Sequence, residues 1–242
     1  MEYLEQILVP LGGFSLVTYH LWFLYQLIRH PTKTVMGINA VNRRMWVETI
    51  MEDQSKNGIL AVQTLRNNIM ASTMLATMAI TLGSIISVLI TRGWGVSIPA
   101  TSDSTTSSSM SVGAGSTDDV IVTVKFFSML TCFLLAFLFN VQTIRYYSHG
   151  GMLINVPTTK WPELSRSKAT EYIVRVFECA SYFWSLGLRA FYFAFPLFMW
   201  IFGPIPMFVC CITMVFVLYF LDVSFDEECM SVTSPSTIVV DP

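Results

Sequence analysis

Two ionisable side chains lie within long apolar stretches of the sequence. His20 belongs to an apolar run at 7–28, and Arg189 belongs to another at 181–202. In hydrocarbon such groups are rare and usually face a bundle interior or a wet cavity, where they line ion or substrate paths. Each also has a simpler interpretation, because Arg189 can extend to the lipid headgroups and His20 can form a hydrogen bond between helices. The pair is a candidate polar path if the two side chains converge.

A second set of candidate residues precedes the second apolar run. The stretch 38–51 has apolar residues at roughly helical spacing, flanked by Arg43 and Arg44, and it includes Trp46. This pattern indicates a helix lying in the headgroup layer, where each arginine attracts anionic lipid by about 1 kcal/mol. The alternative is that both arginines only fix the orientation of the chain and solvate the helix. The next segment, 59–68, runs directly into the membrane. It carries three further candidate polar residues: Gln63, Arg66 and Asn67.

No residue pattern in the sequence supports catalysis. The three histidines, at positions 20, 30 and 149, lie far apart, and none has a cysteine, a glutamate or a second histidine at helical spacing. The sequence has no G-x-S-x-G, no glycine-rich phosphate loop and no C-x-x-C. We therefore predict no catalytic, cofactor-binding or metal-binding residue, and the sequence weighs against an enzyme.

The composition is too apolar for a soluble domain. Hydrophobic residues make up 53% of the 242 residues and charged residues only 12%, whereas an ordinary soluble domain carries about a quarter charged residues. The formal net charge of −2 gives no excess of basic groups for a phosphate backbone, so nucleic acid is not an expected partner. The five cysteines lie in or beside apolar runs, where we expect small packing residues rather than disulfides.

The apolar runs predict how the chain crosses a hydrocarbon core about 30 Å thick. They lie at 7–28, 69–90, 120–144, 181–202 and 207–221. The sequence Gly-Pro-Ile-Pro at 203–206 favours a turn between the last two runs. Because the last run is short, a kinked helix or a re-entrant segment is the alternative to a fifth span. The predicted fold class is an all-α, multi-pass transmembrane helical bundle with four to five spans and amphipathic cytoplasmic helices, in a single domain at 1–225.

The basic residues are distributed unevenly between the loops. The loop after the first span holds six lysines and arginines and the loop after the third holds five, whereas the loop between them holds only Arg92. Lysine and arginine near spans stay on the cytoplasmic side, so the N-terminus is predicted to be non-cytoplasmic, with the plasma membrane as the default location. The serine- and threonine-rich stretch 97–117 is predicted to be a flexible non-cytoplasmic loop, and 226–242 an acidic flexible tail.

A stripe of small residues follows one face of the second span. Its members, at spacings of three and four, are Ser72, Ala76, Ala79, Gly83 and Ser87. Such a stripe lets another helix approach closely. The partner helix can belong to the same chain or to a second copy, so a homo-oligomer through the second span is a possible partner.

Several short strings carry a family resemblance. They are ILVPLG at 7–12, YH at 19–20, GIN at 37–39, RRMWV at 43–47, LAVQTLRN at 60–67, IN at 154–155 and WIFGP at 200–204. They resemble plant members of the family known as domain of unknown function 599, over nearly the whole chain, and 60–67 is the most specific string. The resemblance implies a plant multi-pass membrane protein and supplies no catalytic or ligand-binding residue.

Two functions from different classes fit these observations. The first is a non-enzymatic integral membrane protein whose basic cytoplasmic loops form an interaction surface for anionic membrane lipids or a cytoplasmic protein partner. The second is a small channel or transporter with a polar path involving His20 and Arg189. A membrane enzyme is less favoured than either. No cofactor is predicted.

Overall fold

The structure, a computed structural model, describes residues 2–91, 117–156 and 163–223. These residues form six α-helices and contain no β-strand. The helices are α1 (Glu2–Arg29), α2 (Val35–Glu52), α3 (Gln54–Thr91), α4 (Thr117–Ile154), α5 (Glu163–Met199) and α6 (Pro204–Asp222). The predicted all-α helical bundle is therefore confirmed. The predicted loop at 97–117, apart from its last residue, and the predicted tail at 226–242 lie outside the described residues.

Four helices are long and apolar enough to cross a membrane. The candidate spans are Tyr3–Arg29, Gln54–Ile90, Val120–Ile154 and Pro204–Asp222. Helix α5, which contains the predicted span 181–202, is not among them, because Arg189 and several polar aromatic residues lower its hydropathy. It packs chiefly against α4 and also contacts α2 and α6. A fifth crossing through α5 stays a prediction.

The break between α5 and α6 falls at the Gly-Pro-Ile-Pro sequence. Gly203 has a φ of 140°, a conformation that glycine adopts without strain. Pro204 occupies the first turn of α6, where its missing N–H would have had no partner within the helix. Because the two prolines are helical, α6 has 19 residues and is longer than the predicted run at 207–221. It approaches the length of about 20 residues that a span requires.

The start of α2 is fixed by a cap. Thr34 Oγ1 accepts a hydrogen bond from the backbone N–H of Gly37 at 3.2 Å, which satisfies one of the free donors of the first turn. A Cβ at Gly37 would lie 1.9 Å from the carbonyl oxygen of Pro31, so only glycine fits at this position. Helix α3 then runs without interruption from Gln54 to Thr91. The predicted interfacial segment 59–68 and the second span are thus parts of one helix.

The helices pack in two groups. Helix α4 lies between α3 and α5, while α1 pairs with α6, which also contacts α5. The small-residue stripe on α3 is covered by α4 of the same chain, and Gly83 faces the side chains of Leu130 and Phe133. A homo-oligomer through this span stays a prediction. Helix α2 lies against one end of α5, where it closes a separate apolar core. The core residues include Val47, Ile50, Leu65, Ile173 and Phe177.

Candidate functional site

The inward face of α2 is polar in its first half and apolar in its second half. Asn39 and Arg43 are one turn apart on this face, and the next two turns carry the buried residues Val47 and Ile50. Arg44 is one residue further round the helix and points outward, where it pairs with Glu48 at 3.0 Å. The two arginines that the sequence presents as a pair therefore point in different directions. Only Arg43 is directed into the protein.

A row of polar side chains on α3 faces the inward side of α2. Thr64, Asn68 and Ser72 are four residues apart and share one helix face with the buried Leu65. The three α3 residues predicted from sequence lie on the other faces and are exposed: Gln63, Arg66 and Asn67. The three predicted residues therefore belong to the same segment as Thr64, Asn68 and Ser72 but point away from the inward side of α2. The four-residue spacing of Thr64, Asn68 and Ser72 is the signal that could have identified the inner face.

The two polar rows enclose a pair of adjoining cavities that share the same central residues. The shared residues are Asn39, Arg43, Asn68 and Tyr147. The larger cavity has a volume of about 510 Å³ and extends towards Arg189 and Asp222. The smaller has a volume of about 360 Å³ and extends towards Trp46, a predicted residue that packs edge-on against Phe177 with ring centroids 5.9 Å apart. Arg43 thus lies where the two cavities meet.

The guanidinium of Arg43 has unused hydrogen-bonding capacity. Its Nε and Nη2 atoms are buried and have no acceptor among the described residues. Burial lowers the pKa of Arg43, and Tyr147, Glu178 and Tyr182 oppose this change electrostatically. The pKa of an arginine side chain lies so far above neutral pH that the group keeps its charge in a protein. A buried, charged donor without an acceptor is unfavourable, and an anion would supply what Arg43 lacks.

Arg189 contacts groups from two other helices, although its Nη1 is buried and has no hydrogen-bond partner among the described residues. Its Nη2 donates to both carboxylate oxygens of Asp222, each at 2.9 Å, and its guanidinium lies 4.2 Å from the centre of the Phe23 ring. Tyr19 Oη donates to the same carboxylate at 2.8 Å. Arg189 therefore links α1, α5 and α6. Sequence reasoning missed Asp222 and Tyr19, although an acidic residue directly after an apolar run is a weak signal for such a partner.

His20 lies next to this link but outside the cavities. Its Nδ1 is 2.8 Å from the carbonyl oxygen of Leu16, and its ring packs against Phe193 with centroids 4.6 Å apart. Arg189 lines the larger cavity and His20 does not. The two residues predicted as one polar path are therefore near the same helix contact, but only one of them faces an open space.

A second polar cluster lies beside the turn between α5 and α6. Lys125 Nζ is 2.8 Å from Glu5 Oε1, and the same oxygen accepts a hydrogen bond from Trp200 Nε1 at 2.9 Å. Lys125 also lies 4.9 Å from the centre of the Trp200 ring. These contacts join α1 and α4 to the end of α5, and they leave no unused charge for a ligand. Over the described part of the chain, no three His, Cys, Asp or Glu side chains are grouped so that they could hold a metal ion.

Comparisons with known proteins give one match. No curated protein and no solved structure matches the chain. The family profile described as "Protein of unknown function, DUF599" matches residues 7–227. This match covers nearly the whole chain and includes α1, both polar rows and Asp222. The chain therefore belongs to the DUF599 family.

Proposed function

We propose that the protein is a non-enzymatic integral membrane protein that binds an anionic ligand between α2, α3 and α5. The observation that carries the proposal is the buried guanidinium of Arg43, whose Nε and Nη2 have no acceptor among the described residues and which lines both cavities. These two nitrogens form one edge of the planar group. Such an edge matches two oxygens of a carboxylate or phosphate.

The charged side chains described around Arg43 form no ion pair with it, so its guanidinium is available to an anionic ligand. Asp222 compensates Arg189 at 2.9 Å, so that pair contributes little net field to the larger cavity. Glu178 is close enough to favour the charged form of Arg43, but these two described residues form no ion pair. Hydroxyl groups complete the lining and offer further donors to an anion. They belong to Ser72, Tyr147, Ser181, Ser185 and Tyr192.

The lipid-binding surface expected from the sequence included both Arg43 and Arg44, and the proposal keeps only Arg43. Arg44 is 63% exposed and already paired with Glu48, and an exposed pair of this kind contributes little to binding or stability. We therefore assign anion recognition to Arg43 alone. Because α2 and the start of α3 belong to a loop rich in basic residues, we place the site on the cytoplasmic side, in the headgroup layer.

The test compares two neighbouring arginines. The full-length protein in a neutral detergent is titrated with short-chain phosphatidic acid, and with short-chain phosphatidylcholine as the neutral reference. We expect Arg43→Gln to weaken phosphatidic acid binding by about 10- to 100-fold, because a hydrogen bond to a charged group contributes about 1.5–3 kcal/mol. Arg44→Gln is the matched control and should change binding less than about twofold. Equal effects of the two substitutions, or no binding of the anionic lipid, would contradict the proposal.

Transport is the second candidate function. It is supported by the position of the Arg189–Asp222 pair, which lines the larger cavity inside a bundle where ionisable groups are costly. Reconstituted protein should then carry an anion across a vesicle membrane, and Arg189→Gln should abolish this flux. His20→Ala is the variant to compare with Arg189→Gln in the flux assay, because His20 belongs to the predicted polar path but lies outside the cavity. Absence of flux over a broad panel of ions and metabolites would reject transport without affecting the binding proposal.

A further inference from the structure

We infer that the ligand of this site is a polyol phosphate, with its phosphate at Arg43 and its hydroxyl groups in the smaller cavity. The inference rests on the proposed function, because Arg43 supplies the charge in both. It adds the chemical class of the ligand. The same chemistry can come from a phospholipid with a polyol headgroup or from a soluble sugar-like phosphate.

Carboxamides dominate the polar lining of the smaller cavity. Asn39 and Asn42 come from α2 and Asn68 comes from α3, and Thr64 adds a hydroxyl group. The side-chain amides of the three asparagines form no hydrogen bond with another described residue, whereas most of the chain's other asparagines are bonded. A carboxamide presents a donor and an acceptor side by side, and a hydroxyl group is both donor and acceptor. All three asparagines are exposed, so their carboxamides are accessible to a ligand and match several neighbouring hydroxyl groups.

Aromatic side chains form the other wall of this cavity. Trp46, Tyr147 and Phe177 line it, and Phe177 contacts both of the others, with ring centroids 5.9 Å and 6.1 Å apart. The negative face of an aromatic ring favours positively polarised hydrogens, which the C–H bonds of a polyol ring provide. Phe177 and Tyr147 are almost fully buried, at 1% and 7% exposed, so the half-buried Trp46 is the ring most open to a ligand. A ring that is apolar on its faces and hydroxylated at its edge would fit between Trp46 and the carboxamides. The volume of about 360 Å³ is within the range of small-molecule sites, about 300–1,000 Å³.

Simpler anions use only part of this arrangement. A fatty acid would place its carboxylate at Arg43 but would leave Asn39, Asn42 and Asn68 without partners. An unsubstituted phosphate would occupy the junction of the cavities and leave the smaller one without a polar occupant. The spacing of Asn39, Asn42, Arg43 and Trp46 at i, i+3, i+4 and i+7 puts the charge, the amides and one aromatic ring on a single face of α2. One ligand can therefore contact all three kinds of group.

The test separates the contribution of the ligand's phosphate charge to binding from the contribution of its hydroxyl groups. The full-length protein in neutral detergent is titrated with inositol 1-phosphate and with ethyl phosphate, which has the same anion without a polyol. We expect inositol 1-phosphate to bind at least about tenfold more tightly, since each added hydrogen bond contributes about 1 kcal/mol. The double substitution Asn42→Ala with Asn68→Ala should weaken inositol 1-phosphate binding more than ethyl phosphate binding and so remove most of this preference. Asn67→Ala is the matched control and should have no effect, because Asn67 is the neighbouring asparagine on α3 and does not line either cavity.

The outcomes distinguish the inference from the proposed function. If Arg43→Gln weakens both phosphates but wild type binds them equally, the polyol inference is wrong and the anion site stands. If no anion depends on Arg43, both are wrong. Thermal unfolding of each variant confirms that it is folded, and Arg43→Lys, which keeps the charge but loses the planar fork, should retain part of the binding.

A further comparison identifies the source of the ligand. Short-chain phosphatidylinositol is titrated beside inositol 1-phosphate, with short-chain phosphatidic acid as the lipid without a polyol. Tighter binding of phosphatidylinositol than of the other two indicates a membrane lipid, because acyl chains and polyol then both contribute. Equal binding of phosphatidylinositol and inositol 1-phosphate indicates a soluble ligand. Preference for phosphatidic acid over phosphatidylinositol would overturn the inference.

Discussion

Removing either partner of the Arg189–Asp222 pair should destabilise the bundle strongly. Both side chains are almost buried, with exposures of 15% and 16%, and the carboxylate also accepts the hydrogen bond from Tyr19. Loss of one partner leaves the other charge buried without compensation, which costs about 3–5 kcal/mol. Since neither group is fully buried, we expect about 3 kcal/mol for Arg189→Gln and a similar cost for Asp222→Asn.

The double variant provides the decisive measurement. With both charges removed, the two amides can hydrogen-bond to each other, so we expect a total cost of about 4 kcal/mol and a coupling energy of about 2 kcal/mol. The assay is unfolding of the full-length protein by SDS in mixed micelles, followed by tryptophan fluorescence. Arg175→Gln is the control on the same helix, because Arg175 is 74% exposed and lies 3.9 Å from Glu171. It should change the free energy of unfolding by less than about 0.5 kcal/mol.

Additive costs would refute this reasoning. If the double variant loses as much stability as the two single variants together, Arg189 and Asp222 do not interact in the folded protein. Tyr19→Phe gives an independent check, because it removes one hydrogen bond to the carboxylate and leaves the ion pair intact. We expect it to cost about 1–1.5 kcal/mol, less than either charge substitution.

Two further predictions concern the ends of α2. Gly37→Ala should prevent normal docking of α2, because the new Cβ would lie 1.9 Å from a backbone carbonyl, which cannot move aside as a flexible side chain can. Gly13→Ala is the control: it has nothing within 4 Å of its new Cβ and should be neutral or slightly stabilising. Equal melting temperatures for the two variants would contradict this prediction. Asp53 accepts hydrogen bonds from Ser55 Oγ and from the backbone N–H of Lys56 at the start of α3, and these bonds lower its pKa. Because the folded pKa is below the unfolded value, the carboxylate's stabilising effect is complete above pH about 4 and disappears as the pH falls through the folded pKa. Asp53→Ala should therefore be less stable than wild type at neutral pH, and the difference should shrink as the pH falls through the folded pKa. A difference that does not change with pH would show that the carboxylate is not responsible.

The sequence allowed the elements to be predicted better than their contacts. Long apolar runs and the Gly-Pro-Ile-Pro turn follow from local chemistry, so the helices and the break at Gly203 could be anticipated. The stripe that includes Ala76 and Gly83 was correctly expected to contact another helix. The sequence left open whether that helix belongs to the same chain, because a stripe of small residues fits either partner.

The candidate site was only partly predictable. Arg43, Trp46 and Arg189 were selected because of their residue types, and all three line the cavities. Asn68 was missed in favour of its neighbour Asn67, because the face of α3 that turns inward is decided by packing against α2 and α4. The partner of Arg189 is 33 residues further along the chain, and that of Tyr19 is 203 residues away. Contacts over such separations leave no periodic signal in a single sequence.

The pairing of α1 with α6 has a consequence for how the protein is made. During synthesis α1 finds its main neighbour only after α6 has been made, since Leu16 packs against Met207 and Cys211 and Tyr19 donates a hydrogen bond to Asp222. Until then the face of α1 that packs against α6 is uncovered, and the Tyr19 hydroxyl lacks its acceptor. A chain interrupted before α6 would keep that face of α1 open, and cellular quality control could recognise the orphaned helix.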